Sequence, residues 1–194
     1  IILFEREREF IIENIDHKKK YKILDVGCYG SILPIQLAKY GHDVYGIDVI
    51  NINFSKFKFY CIDLLHDIVP DNNFKYISLL STIEHIGIGY YGDQKDESGD
   101  RVALQKLYDA LNNTGKLLLT IPYSGEYKQS DFQRIHTENT FNLLIKDLFY
   151  IEKEKYYIPI NKKKWVESSK TEAQKAYQVY PESNNACFVL RKVL

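Results

Sequence analysis

The chain has 194 residues, of which 45% are hydrophobic and 27% charged, with 26 basic residues balanced by 26 acidic ones. That length and composition fit one globular domain, 1–194, able to bury its own core, and a net charge of zero argues against a dedicated nucleic-acid binder, which carries a basic excess. No apolar run approaches the length of a membrane span, and Cys28, Cys61 and Cys187 are too far apart for a CxxC pair, so they read as free thiols in a reducing, cytoplasmic compartment with no zinc site.

In chain order, apolar runs alternate with helical patterns, as in a parallel α/β sheet. Residues 4–15 read as a helix on the domain edge, the ordered part of an N-terminal segment 1–20, with Phe4, Ile11 and Ile15 as its apolar positions. Residues 21–27 form a short buried strand ending at Gly27, and residues 31–40 a helix closed by Gly41. Strands follow at 43–49, 57–63 and 75–82. Leu104, Leu107, Tyr108 and Leu111 keep the i, i+3, i+4, i+7 spacing of a helix, which leads into a turn at 112–115 and a fifth strand at 116–122 that Pro122 stops. Phe141, Leu144, Ile145 and Leu148 repeat the helical spacing, and strands at 150–158 and 186–193 complete seven. The polar stretch 159–185 between them, with Trp165, is expected to be an insertion or a mobile loop. The expected architecture is therefore a Rossmann-like, doubly wound, mostly parallel seven-stranded sheet, whose ligand sits outside the carboxyl ends of the strands.

Three strand ends carry matching signals. Gly27, straight after the first strand, lets backbone approach a ligand closely. Asp48 ends the second strand 21 residues later, where a carboxylate accepts the hydrogen bonds of a ribose diol. Asp63 ends the third, where it either accepts from an adenine amino group or serves as a turn residue. The spacing Gly27-x-x-Gly30 followed by Ser31 breaks the G-x-G-x-x-G fingerprint of a nicotinamide cofactor, and no G-K-[ST] phosphate loop occurs. An adenosine ligand without phosphates fits better.

Ile23-Leu-Asp-Val-Gly-Cys28 and Leu37-Ala-Lys-Tyr-Gly-His-Asp-Val-Tyr-Gly-Ile-Asp48 resemble the first half of a class I S-adenosylmethionine-dependent methyltransferase. Leu80-Ser-Thr-Ile-Glu-His85 resembles that family's segment after strand four, and residues 111–122 its turn and fifth strand. The resemblance implies S-adenosylmethionine as cofactor, lined by Asp25, Gly27, Cys28, Tyr29, Gly30, Asp48, Val49, Asp63, Leu64, Ser81 and Thr82. The family's glycine motif D-x-G-x-G-x-G is altered, with Tyr29 and Ser31 at its second and third glycine positions. Residues 81–93 with Ser98-Gly-Asp100 resemble a subgroup found beside glycosyltransferases, which implies a small-molecule acceptor such as a sugar or glycan precursor.

Displacement of methyl from a sulfonium needs alignment and, for a hydroxyl acceptor, a base. His85 and His136 are the candidates, with Glu84 beside His85 and expected to raise its pKa above the ordinary value of about 6.5. His17, His42 and His66 read as surface or turn residues. Some O-methyltransferases of related layout hold a divalent ion with E-x-x-E-H and a later histidine. Here Ser81 takes the first glutamate position, so no metal is expected. Residues 87–100, rich in Gly, Tyr and Asp, read as a lid or substrate wall, and Tyr90, Tyr91 and Tyr123 as aromatic faces at strand ends. The lysine runs at 18–20 and 162–164 read as solvated surface. Two other functions stay open. One is a non-catalytic adenosine-ligand-binding protein that kept the fold, favoured by the altered glycine loop, and the other is an RNA or protein methyltransferase.

Overall fold

The computed structural model describes residues 2–52, 56–161, 164–175 and 183–194. The elements are α1 (Leu3–Glu13), β1 (Lys22–Val26), α2 (Leu33–Lys39), β2 (Asp43–Asp48), β3 (Lys58–Cys61), β4 (Phe74–Leu80), α3 (Gly99–Ala110), β5 (Leu111–Tyr123), β6 (Lys128–Gln129), β7 (Arg134–Ile135), α4 (Glu138–Ile145), β8 (Phe149–Asn161), β9 (Lys164–Ser168), α5 (Lys170–Ala173) and β10 (Asn184–Lys192). A short 3-10 turn, Ile83–His85, follows β4.

The sheet runs β3-β2-β1-β4-β5-β10-β8-β9. Its first five strands are parallel, whereas β10, β8 and β9 pair antiparallel. Alternation along each strand divides the core in two. Leu24, Tyr45, Ile77, Leu119 and Phe188 face α3 and α4 on one side. Ile23, Val44, Tyr76, Leu118 and Val189 face α1 and α2 on the other. Both faces of the central strands are therefore covered, which is why these strands read as continuous apolar runs. Reversal of strand order at β1 and β4 leaves a crevice at their carboxyl ends, where the sequence had placed the ligand.

Three expectations need correction. The sheet has eight strands rather than seven. The stretch 159–185 is largely structured where it is described: β8 continues to Asn161, β9 adds an edge strand and α5 a helical turn. The reason is Trp165, which is 3% exposed and buried among the α1-face residues, so β9 must dock to bury it. Lys162 and Lys163 of the second lysine run lie outside the described residues, as do 176–182 of the expected insertion. The third correction is His42, which is buried rather than at the surface. Tyr21 N–H donates to His42 Nδ1 at 3.3 Å, so Nε2 carries the proton that His42 shares with His17 Nδ1 at 3.0 Å. His17 Nε2 then donates to the Ile12 carbonyl at 2.9 Å, which ties the end of α1 to β1 and β2.

The expected turn at 112–115 is present inside β5. Phe74 pairs with Leu111 and Tyr76 with Lys116, so residues 112–115 bulge opposite Lys75 alone. Sequence patterning gave no sign of the β6–β7 hairpin, nor of what anchors it. Arg134 is 2% exposed, donates to the Ile86 carbonyl at 2.7 Å and has its Nε 3.6 Å from Asp100 at the start of α3. One buried guanidinium thus joins the hairpin, the turn after β4 and the loop before α3. Replacing Arg134 with Ala should cost about 3 kcal/mol in urea unfolding, because it strands a buried carboxyl and a carbonyl. A cost under about 0.5 kcal/mol would show that the tie is not structural.

Candidate active site

The crevice is built from five chain segments leaving the carboxyl ends of β1 to β5. At β1, Gly27 has φ +72, and a Cβ added there would lie 2.4 Å from the Thr82 side chain. The glycine is required by its neighbour on the β4 exit, so a larger residue here would disturb the fold before it reported on a ligand. Gly30 also has a positive φ, +70, but nothing lies within 4 Å of its missing Cβ. It turns the loop and leaves open space above it.

Asp48 closes that loop from β2. Its Oδ2 accepts the Tyr29 N–H at 2.8 Å and its Oδ1 the Ile50 N–H at 2.9 Å. A carboxylate has about four acceptor positions, so two remain for a ligand diol. Tyr29 and Val49 are exposed on either side. At β3, Asp63 behaves as a turn residue: its Oδ1 accepts the Leu65 N–H at 2.8 Å and its carbonyl accepts from His66 and Asp67. Among the described residues Asp63 Oδ2 has no hydrogen-bond partner. Cys28 and Leu64 point into the core, 1% and 4% exposed, and offer a ligand only their backbone.

Asp25 is buried on β1 and accepts from Ser78 Oγ at 2.6 Å. Burial pushes its carboxyl up to about 7, the Ser78 hydrogen bond opposes this, and the Asp48 charge adds to it. It supports the loop from below rather than facing the crevice.

The β4 exit carries the polar chemistry. Ser81 has φ +45. Thr82 Oγ1 donates between the Val26 and Leu80 carbonyls, at 3.2 and 3.0 Å, and pins the exits of β1 and β4 together. His85 Nδ1 lies 2.6 Å from the Phe132 carbonyl. A carbonyl only accepts, so Nδ1 carries the proton and Nε2 presents its lone pair. That Nε2 is 3.9 Å from Glu84 Oε1. Glu84 is 0% exposed, and among the described residues neither of its carboxyl oxygens has a hydrogen-bond partner. Burial holds the Glu84 carboxyl well above its ordinary range. Burial also holds His85 below the ordinary imidazole range, against opposing contributions from the Phe132 carbonyl and Asp93. The expectation that Glu84 raises the His85 pKa is therefore corrected: burial lowers it, and the groups that oppose this are the Phe132 carbonyl and Asp93 rather than Glu84.

Around His85 stand three rings that reach solvent, Tyr90, Tyr91 and Phe132. Phe132 lies 4.5 Å and Tyr91 5.6 Å from the imidazole centroid, and Tyr90 packs edge-on against both at 4.8 and 5.0 Å. The wall behind them is ordered: Gly87 N–H donates to Asp93 Oδ2 at 2.8 Å and the Gly87 carbonyl accepts from Asp96 N–H at 2.9 Å. Tyr123 does not join this aromatic group. It is 1% exposed, packed on Tyr156 in the core.

His136 lies beside the end of β5, where its backbone bonds Pro122 and Ser124. It is 3% exposed with Nε2 unpartnered, and burial, reinforced by Arg134, pushes it down to about 4. Among the described residues no group of three His, Cys, Asp or Glu side chains is arranged to hold a metal ion.

Asp25 gives a test of these electrostatics. Its folded pKa is raised, so the folded state holds a proton that the unfolded chain has lost between about pH 4 and pH 7. Stability from this group is complete below that window and is lost as pH rises through it, by at most about 1.4 kcal/mol per pH unit. Asp25→Asn still accepts from Ser78 but cannot ionise. It should be more stable than the wild type at pH 8 and nearly equal at pH 4, measured by denaturant unfolding. Parallel pH profiles would show that Asp25 is not proton-linked.

Comparison with known proteins bears on the fold that carries this crevice. The crystal structure of 1,6-didemethyltoxoflavin-N1-methyltransferase of Burkholderia thailandensis, solved with S-adenosylhomocysteine, superposes with a TM-score of 0.69 at 12% identity, covering 98% of this chain and 78% of that one. The [4+2]-cyclase SpnF superposes with a TM-score of 0.69 at 15% identity, covering 98% and 81%. At such identities the likeness shows the fold, which is that of the class I methyltransferases and hosts more than one chemistry. Among curated proteins, the ubiquinone biosynthesis O-methyltransferase of Rickettsia akari is 30% identical over 118 residues, covering 58% of this chain. The chain spans only 41% of the length of that relative. The profile of the family described as "Caenorhabditis protein of unknown function, DUF268" matches residues 59–193, from β3 to the last residues of the chain, and the chain belongs to that family.

Proposed function

We propose that the protein binds S-adenosylmethionine at the β1–β2–β3 ends and transfers its methyl group to a hydroxyl of a small molecule, with His85 as general base. The observation that carries this reading is the geometry of His85: the Phe132 carbonyl holds the proton on Nδ1, which leaves Nε2 as the lone-pair nitrogen, 3.9 Å from Oε1 of the buried Glu84. The residues present fit the cofactor. Gly30 leaves an open cradle and Asp48 keeps two acceptor positions for a ribose diol. Asp63 Oδ2 is available to an adenine amino group. In this reading the exposed Tyr29 and Val49 flank the adenosine, and Ser81 and Thr82 lie below the methyl group.

Bound S-adenosylmethionine supplies a methyl group on a sulfonium that a nucleophile displaces directly. The protein's own part is to align the acceptor, exclude water and take one proton. The acceptor's hydroxyl proton would pass to His85 Nε2, and the Phe132 carbonyl would stabilise the resulting imidazolium through Nδ1–H. Tyr90, Tyr91 and Phe132 offer aromatic faces to an acceptor ring, such as a sugar, while Glu84 and His136 supply buried polar atoms with unfilled hydrogen-bond capacity.

Two measurements test the proposal. Asp48→Ala should weaken S-adenosylhomocysteine binding in calorimetry by about tenfold to a hundredfold, the cost of a charged acceptor. Unchanged affinity would move the cofactor elsewhere. With an acceptor found by screening hydroxylated compounds for methyl uptake, His85→Ala should lower turnover by about 10²–10⁴-fold with little change in cofactor affinity. The wild-type rate should fall with acid at a midpoint below about 6.5, because burial holds the His85 pKa down. Wild-type protein that binds the cofactor product but methylates nothing in the panel would favour a binding protein or a cyclase-like chemistry on this fold.

A further inference from the structure

We propose that Glu7, on the N-terminal helix, is a positioning residue for the site: it sets the strained β4 exit and through it both His85 and the floor of the glycine loop. Glu7 lies in the run Glu5-Arg-Glu-Arg-Glu9, which reads as a solvated helix face. In the structure it is 0% exposed. Its Oε1 accepts hydrogen bonds from the ends of three strands: from Ser81 Oγ at 2.5 Å, Thr120 Oγ1 at 2.8 Å and Asn185 Nδ2 at 2.8 Å. Thr120 Oγ1 in turn accepts the Ser81 N–H at 2.9 Å. Both polar groups through which Ser81 could relax are therefore held, directly or through one hydroxyl, by Glu7.

Ser81 is a non-glycine residue in the left-handed region, φ +45, and such strain persists only where the surroundings over-determine it. The next residue is Thr82, which packs against Gly27 and whose carbonyl accepts the His85 N–H at 3.0 Å. A change at Ser81 thus moves the glycine loop and the base together. Packing alone does not account for a carboxyl here. Glu7 Oε2 is buried with no partner, and an apolar side chain of similar size would avoid that desolvation. What the carboxyl adds is one acceptor shared by three strand ends.

The inference rests on the proposed role of the site, and its test separates the two. Thermal unfolding, the His85 imidazole nitrogen shifts and pKa by NMR, and S-adenosylhomocysteine affinity are measured for wild type, Glu7→Leu, Glu7→Gln and Ser81→Ala. Glu7→Leu should shift the His85 pKa by about half a unit or more and weaken binding about tenfold. Glu7→Gln, which still accepts at Oε1, should restore both to within about twofold of wild type. Ser81→Ala should shift the His85 signature in the same sense as Glu7→Leu and decides the matter if Glu7→Leu fails to fold. A folded Glu7→Leu with wild-type His85 shifts, a Gln variant no better than Leu, or an unmoved signature in Ser81→Ala each overturns the positioning role. Wild-type protein that does not bind S-adenosylhomocysteine overturns the functional reading instead, and the NMR arm still tests Glu7.

Discussion

The chain must leave β4, a central strand covered on both faces, and reach the crevice within a few residues, and the rest of the site depends on how it does so. Backbone turning inside a covered sheet exposes polar groups that water cannot reach. Here the turn is made at Ser81 in a left-handed conformation, and its hydroxyl and amide are satisfied by Glu7 and Thr120. Thr82 then locks β4 to β1 through the Val26 carbonyl, and the Ile83–His85 turn follows in a fixed direction. The imidazole orientation, the buried Glu84 and the glycine loop all follow from that corner.

The polar groups on the two sides of the corner serve different ends. On the α1 face Asp25, Ser78, Thr120, Asn185 and Glu7 are buried and bonded to one another in short networks, so they fix strand ends relative to each other. Beyond the β4 and β5 exits, Glu84 and His136 are buried with hydrogen-bond capacity that no partner fills among the described residues. The first set costs desolvation and returns geometry. Glu7 belongs to both groups, since its Oε1 joins the network while its Oε2 has no partner among the described residues.

Arg134 connects this corner to the outer wall. Its guanidinium bonds Ile86 and pairs with Asp100, so the β6–β7 hairpin, which also carries Phe132, cannot move independently of the 87–100 loop. Phe132 contributes both its ring to the aromatic wall and its carbonyl to His85. The tautomer of His85 is thus set by a hairpin that is anchored, in turn, by a buried ion pair.

Much of this was readable from residue order. The seven expected strands, four of the helices and the crevice at the strand ends follow from local periodicity, since period-2 and period-3.6 apolar patterns are properties of neighbouring residues. Gly27, Asp48 and His85 stood out because a glycine, an acid and a histidine fall at or soon after strand ends, where such sheets bind their ligands. The tertiary structure alone decided the rest, and each case turns on a partner distant in sequence. Trp165 makes β9 a strand because its burial requires α1, more than 150 residues earlier. Glu7 looks like one of several surface charges, and only Ser81, Thr120 and Asn185 make it a buried one. Glu84 beside His85 suggested a charge that would raise the imidazole pKa. Burial instead holds the Glu84 carboxyl well above its ordinary range and the His85 imidazole below its own, and burial is a sum over the whole fold that no local spacing contains.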